Sequence, residues 1–308
     1  MLSIPMDVWK HFPVRKTKAQ KQAFRDAVQS YVTGLGYPVK LETGSHGLQN
    51  IVIGNPDSAE YLVTAHYDTP AASLLPNLVT PCNPVTFILY QLFLVGILVV
   101  VSIGVGVLVG IPTGNADVAG YVGVAVYWAL LLLMRFGPAN KNNANDNTSG
   151  VVTVLEIART LPKLHRDKVC FVLFDLEEAG LVGSQSYRKV HKTATETQLV
   201  LNLDCVGDGD EIWFFPSKKL KKDQDTMARL KRCGGYFGQK KICIREKGFA
   251  SYRSDHERFP RSVGIGAFHR KKGIGPYLPR IHTSRDTVLE ETNVNILRAC
   301  ISTLISGS

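Results

Sequence analysis

The chain has 308 residues, 45% of them apolar, and a formal net charge of +10. That length holds one large domain or two small ones and can bury a substantial core. A basic cluster runs from Lys218 to Lys247; it reads as a solvated face, or next as a surface near anionic lipid headgroups, and because no reader motif accompanies it nucleic acid is excluded as the expected partner.

The N-terminal stretch "MLSIPMDVWKHFPVRKTKAQ" has no continuous apolar core of the kind a secretory signal needs, while Trp9 and Phe12 are free to pack or to touch a membrane surface. "QNIVIG" (49–54) and "EYLVTAHYD" (60–68) predict strands rich in β-branched residues, parted by the turn-like "NPDS". An almost wholly apolar block follows. "FILYQLFLVGILVVVSIGVGVLVG" (87–110) has no charged side chain, and at about 1.5 Å per residue it can cross a hydrocarbon core of roughly 30 Å. "IPTGNAD" (111–117) supplies a turn, and "VAGYVGVAVYWALLLLM" (118–134) is a second run near the lower length limit for a span. Two uncharged runs joined by a tight turn predict an inserted transmembrane helical hairpin over 84–136 rather than buried core helices. Ser102, Gly106 and Gly110 recur every four residues, a small-residue face that another helix can approach closely, whether in this chain or in a homo-oligomer formed through the hairpin.

"SGVVTVLEIARTL" (149–161) has helical spacing and is ended by Pro162, and "DKVCFVLFDL" (167–176) reads as a strand buried on both faces. "VGSQSYRKV" predicts a helix and "TQLVLNLDCVG" another buried strand. Further strands are expected at "EIWFF", "KICIRE" and "VGIGAFH", with helices near "DQDTMARLKRC" and "TNVNILRACIST". This alternation predicts one α/β catalytic domain over 1–308, with a mixed, largely parallel central sheet flanked by helices. The six cysteines form no C-x-x-C pair; Cys170 and Cys205 fall in expected buried strands and act as small apolar residues, so reduced thiols are expected.

Five short pieces carry chemistry. "AHYD" sets His66 at a strand end with Asp68 two residues on, where a carboxylate can orient the ring; a lone strand histidine is more often only packed. "NDNTSG" puts Asp146 before a helix, either as an N-cap or as a carboxylate bridging two metals. "FDLEEAGLVGS" follows a buried strand with Glu177 and Glu178, which suits one carboxylate on a metal and a neighbour moving protons. "LNLDCVG" leaves Asp204 at a buried strand end, a costly place for an unpaired charge, and "RIHTSRDT" offers His282 with Asp286 nearby. Two histidines and three carboxylates suit a pair of zinc ions sharing one carboxylate, on loops at the carboxyl edge of a parallel sheet.

The ordered set H-x-D, D-N-x-S-G, E-E-x-G-x-x-G-S, N-x-D and I-H-T-x-x-D-T resembles the signature of the M28 zinc peptidases, which include leucyl aminopeptidases, glutamate carboxypeptidase and the related glutaminyl cyclases. The resemblance runs from about Gln49 to Thr287, includes "SDHERF" (254–259), and is broken by the apolar insertion. It implies a zinc aminopeptidase-like fold and two zinc ions, one held by His66, Asp146 and Asp204, the other by Asp146, Glu178 and His282. It makes Glu177 the general base and Asp68 the partner of His66. Family aminopeptidases often carry an oxyanion-holding tyrosine just before S-D-H, and Tyr252 is the tyrosine near that position here.

The expected activity is hydrolysis of a peptide or aminoacyl-amide substrate by an enzyme anchored in the lipid bilayer, with a lipophilic substrate suited to the site. The alternatives are a one-zinc aminoacyl cyclotransferase and a non-catalytic, membrane-tethered binding domain. Arg135 and Lys141 follow the second run while the turn between the runs has no Lys or Arg, so the positive-inside rule predicts a two-span protein of the cell membrane with its catalytic domain in the cytoplasm.

Overall fold

A computed structural model describes residues 7–73, 75 and 77–307; the first six residues of the N-terminal stretch lie outside them. In chain order the elements are α1 (Val8–His11), α2 (Lys18–Gly34), β1 (Val39–Thr43), β2 (Gln49–Ile53), β3 (Tyr61–His66), α3 (Pro84–Thr113), α4 (Ala116–Phe136), α5 (Gly150–Thr160), β4 (Val169–Phe174), α6 (Val182–Val190), α7 (Lys192–Thr197), β5 (Leu199–Leu203), β6 (Glu211–Pro216), α8 (Gln224–Arg232), β7 (Gly235–Phe237), β8 (Lys240–Ile244), β9 (Ser262–Lys271), β10 (Gly275–Tyr277) and α9 (Glu291–Ser306).

The strands form one mixed sheet in the order β1-β2-β4-β3-β5-β9-β6-β8-β7, with β10 paired to β9. Its centre, β4-β3-β5-β9, is parallel, as is the β6–β8 pair, while β1–β2, β2–β4, β9–β6, β9–β10 and β7–β8 pair antiparallel. The central strands "YLVTAH", "VCFVLF" and "LVLNL" are buried throughout, as strands covered on both faces must be. Alternate side chains serve opposite layers. Val63, Ala65, Phe171, Leu173 and Leu201 pack on one face with Phe24 and Val28 of α2, Val154 of α5 and Leu297 of α9. Leu62, Cys170, Val172 and Val200 point the other way, toward Tyr187 of α6 and Phe259. The two-residue period of a strand produces this division directly.

Helix α2 was not among the expected elements, although its start is written in "TKAQ". The Thr17 side chain accepts from the Gln20 N–H, and the Gln20 side chain accepts from the Thr17 N–H at 2.9 Å, a capping box. Phe24, Val28 and Val32 then recur every four residues on the buried face. Phe12 packs edge-on against Phe24 with ring centroids 5.9 Å apart, whereas Trp9 is exposed.

Helices α3 and α4 stand apart from this core and are long and apolar enough to cross a membrane. At about 1.5 Å per residue, the 30 residues of α3 extend for about 45 Å. Only Ser102, Gly106 and Gly110 of α3 are buried, and no residue of α4 is. The expected seven-residue turn is shorter than its composition suggested, since Ile111, Pro112 and Thr113 remain helical. Gly114 turns the chain at φ +63°, and the Asn115 side chain accepts from the Asp117 and Val118 N–H groups to start α4. The small-residue face receives α4 itself. A Cβ on Gly106 would lie 2.4 Å from the Ala119 carbonyl oxygen, and one on Gly110 would lie 2.5 Å from the Ala119 Cβ. That face is therefore filled within the hairpin.

The two ends of the hairpin meet again where it leaves the domain. Ala71 and Ala139 form an isolated bridge, the Ala72 N–H donates to the Pro138 carbonyl at 2.8 Å, and the Asn140 N–H donates to the Pro70 carbonyl at 3.0 Å.

Candidate metal centre

Three adjacent parallel strands deliver the first set of functional groups. His66 ends β3, Glu177 and Glu178 follow β4, and Asp204 follows β5. These are carboxyl ends of parallel strands, the edge at which open α/β sheets hold their ligands. His282 comes from the segment after β10 and adopts φ +64°.

Asp146 arrives on an irregular loop, Ala144–Ser149, with non-helical backbone at Asp146 (φ −109°, ψ 96°). It is not the N-cap of α5. Asn147 takes that work, accepting from the Gly150 N–H at 3.0 Å and the Cys205 N–H at 3.2 Å, and donating to the Leu203 carbonyl at 2.9 Å. The loop is also clamped by Asp286, whose two carboxylate oxygens accept the N–H groups of Asn145 (2.8 Å) and Asp146 (3.0 Å). The Asp146 side chain is thereby left free to face the cleft.

The five expected ligands converge. His66 Nε2 lies 3.3 Å from Asp146 Oδ1 and 3.7 Å from Asp204 Oδ1. On the other side, His282 Nε2 lies 3.1 Å from Asp146 Oδ2 and 3.6 Å from Glu178 Oε1. Donor atoms of His66, Asp146 and Asp204 lie within 4.8 Å of one another, as do those of Asp146, Glu178 and His282, and a third group joins His66 with Glu177 and Glu178. Asp68 behaves as more than a partner of His66. Its carboxylate is 3.5 Å from His66 Nδ1, but its oxygens accept the N–H groups of Glu177 (3.0 Å) and Glu178 (3.2 Å), so it fixes the β4 loop as well.

Crowded charges shift one another. Burial raises the pKa of Glu177 well above the usual carboxylate range against the pull of His66, and Glu178, Asp255 and Asp204 add to the rise. Burial pushes Glu178 up to about 7 against the pull of His282. Burial also opposes ionisation of Asp146, yet its hydrogen bonds to His282 and His66 hold its pKa below the ordinary value. Burial would lower His282, but the charges of Glu178 and Asp146 lift it to about 9. So many acids around two imidazoles call for added positive charge. Glu178 Oε1 is buried without a hydrogen-bond donor. Mixed imidazole and carboxylate donors with such an oxygen fit zinc.

Several supports escaped the sequence reading. The Ser254 hydroxyl donates to Asp204 Oδ2 at 2.5 Å, and fully buried Arg15 donates to the Tyr67 carbonyl at 2.5 Å and to Thr148 Oγ1 at 3.1 Å. "SDHERF" was the available signal for Ser254; nothing local marked Arg15. The Tyr252 hydroxyl donates to the Asp204 main-chain carbonyl at 2.7 Å, which ties that tyrosine to the Asp204 segment. The ligands, with Glu177, line a cleft of about 360 Å³ whose walls include Val79, Arg135, Tyr252, Arg253, Leu278 and Ile281.

Comparison with known proteins bears on the family and the fold. Residues 125–306 match the profile of peptidase family M28. A 67-residue stretch is 42% identical to aminopeptidase YwaD of Bacillus subtilis (strain 168), covering 21% of this chain and 15% of that protein's length. The fold is similar to that of a glutaminyl cyclase from Porphyromonas gingivalis, with a TM-score of 0.62 and 17% identity over 96% of this chain and 93% of that one. It is similar also to a leucine aminopeptidase precursor from Bacteroides thetaiotaomicron, with a TM-score of 0.56 and 16% identity over 97% and 93% of the two chains.

Proposed function

Given that the chain belongs to peptidase family M28, we propose that it is a membrane-anchored, aminopeptidase-like hydrolase that cleaves a peptide or amide bond with two zinc ions. The observation that carries the two-metal reading is the carboxylate of Asp146, which turns one oxygen toward His66 Nε2 at 3.3 Å and the other toward His282 Nε2 at 3.1 Å. His66, Asp146 and Asp204 would hold one ion, and Asp146, Glu178 and His282 the other. Bound zinc supplies Lewis acidity to water and to the scissile carbonyl.

The chain's own residues do the rest. Glu177 stands beside both groups of donors, and its raised proton affinity suits a base that accepts a proton from water and returns it to the leaving nitrogen. Asp68 holds the main chain of Glu177 and Glu178 in place, and Ser254 orients Asp204. Helices α3 and α4 would form the anchor, and the Arg135 and Lys141 that follow the apolar run support an orientation with the catalytic domain in the cytoplasm.

The test is zinc content and hydrolysis of aminoacyl and dipeptide amides by purified full-length protein in detergent. About two zinc ions per chain are expected, with hydrolysis lost on chelation and lowered roughly 10²–10⁴-fold in Glu177→Gln while zinc stays bound. A well-folded protein that takes up no zinc overturns the proposal. Cyclisation of glutaminyl peptides with no hydrolysis would move it to the cyclotransferase reading.

A further inference from the structure

We infer that Arg135 and Arg253 form a carboxylate receptor at the mouth of the cleft, so that the favoured substrate is an amide whose leaving amine bears a carboxylate. This rests on the peptidase reading and adds the substrate class to it.

The two arginines reach the cleft from separate parts of the chain. Arg135 lies in the last turn of α4, at the foot of the hairpin, and Arg253 lies between Tyr252 and Ser254 in the segment before β9. Both line the same cleft as His66, Asp146, Glu177, Glu178, Asp204 and His282. A basic residue at a helix C-terminus is commonplace, since it complements the helix dipole. Arg135 does something further: its Nη2 donates to the carbonyl of Ala179 at 2.5 Å, directly after Glu178. That single bond sets the guanidinium beside the catalytic loop and leaves most of its donors unused. Among the described residues no ion pair engages Arg135, and Arg253 has only Glu257 at 3.6 Å, with its own side chain 77% exposed.

Two under-used guanidiniums beside a floor of carboxylates are an odd choice unless the ligand brings an anion of its own. Zinc would absorb the charge of the acidic floor, leaving the rim to act on substrate. A guanidinium fork matches a carboxylate through two parallel hydrogen bonds. Val79, Leu278 and Ile281 give the cleft apolar walls for the acyl side of the bond. Arg135 follows the exposed apolar residues Leu132 and Leu133 of α4, so an acyl chain can lie along the hairpin while the carboxylate meets the rim. Hydrolysis then adds one water across the amide, giving a free carboxylic acid and a free amino acid.

Two substrate pairs test this with full-length protein in phosphatidylcholine nanodiscs: leucyl-alanine against leucyl-alaninamide, and dodecanoyl-alanine against dodecanoyl-alaninamide. Within each pair only the carboxylate changes. Wild type should favour the carboxylate member at least about tenfold in kcat/KM, chiefly through KM, as expected for a charged hydrogen bond. Arg135→Gln and Arg253→Gln should each erase most of that preference, and a larger preference in the dodecanoyl pair places the source in the bilayer rather than in water. Equal kcat/KM within both pairs, or equal losses on both members in Arg135→Gln, overturns the receptor. Equilibrium binding of dodecanoyl-alanine to zinc-loaded Glu177→Gln protein separates the two levels: with no turnover of any substrate the peptidase reading fails, while a tenfold weaker binding on adding Arg135→Gln upholds the receptor and unchanged binding rejects it.

Discussion

The carboxylate of Asp68 receives the main-chain N–H of Glu177 at 3.0 Å through one oxygen, and its other oxygen takes the N–H of Glu178 at 3.2 Å. A residue just beyond the end of β3 thus sets the loop that follows β4, and the histidine two residues before it, His66, shares the same carboxylate at 3.5 Å. Asp68→Ala leaves two N–H groups without their acceptor. A stability loss of about 1–3 kcal/mol follows from such orphaned groups, and zinc affinity or activity should fall roughly 10–100-fold, the usual effect of removing a ligand's outer partner. Denaturant unfolding and zinc titration of the same variant measure both; unchanged values in each would mean that the loop holds itself.

Asp286 plays the matching role for Asp146. Asp286→Ala removes the acceptor of the Asn145 and Asp146 N–H groups, so the loop should loosen without losing any ligand atom. Zinc affinity is expected to fall about 10–100-fold, with His66→Ala as the comparison that deletes a donor outright. If Asp286→Ala binds zinc as tightly as wild type, the clamp is dispensable.

The titrations of the cleft fix how zinc uptake depends on pH. In the metal-free protein His282 is raised from 6.5 to about 9, so its contribution to stability is complete below pH 6.5 and is lost as pH rises through about 9. Asp146 is lowered from 3.8, so its contribution is present above pH 3.8 and disappears as pH falls through its depressed value. If His282 and Glu178 hold zinc as proposed, the ion would displace the proton from His282, and below about 7 also that of Glu178. Apparent zinc affinity should therefore climb between pH 6 and 9, with proton release seen as a buffer-dependent heat of binding. A flat profile with no proton release would show that these groups are not the ligands.

Inside the hairpin, Gly106→Leu should force α3 and α4 apart, because even a Cβ would meet the Ala119 carbonyl at 2.4 Å. Overpacking of this kind costs about 1–3 kcal/mol. Gly104→Leu is the control, since a Cβ there meets nothing within 4 Å. Thermal unfolding in detergent should separate the two variants, and equal melting temperatures would deny close packing at Gly106.

What was legible in the sequence was what a short window can hold. Continuous runs such as "VCFVLF" and "LVLNL" mark buried strands; His66, Glu178 and Asp204 end or follow such a run and Asp146 precedes a helix, while His282 lies in a polar segment. Residues whose work depends on distant neighbours stayed hidden. Arg15 reaches Thr148, 133 positions away, and Ser254 reaches Asp204, 50 positions away. No local pattern encodes such contacts, although "SDHERF" at least marks the segment that carries Ser254. Asp146 illustrates the limit from the other side: its surroundings allowed either an N-cap or a ligand, and only the backbone turn that hands capping to Asn147 separates them. The capping box at Thr17 is by contrast local, written in "TKAQ".

The order of elements along the chain constrains how the domain is made. Among the described residues, strand β3 pairs only with β4 and β5, and both follow the hairpin in sequence. A nascent chain therefore emerges from the ribosome with β3 complete and no sheet partner until α3 and α4 have been synthesised. A chaperone or the translocation machinery would meet an unpaired apolar strand followed at once by two apolar helices. For a protein assembled in this order, both long apolar helices are made before the cleft exists.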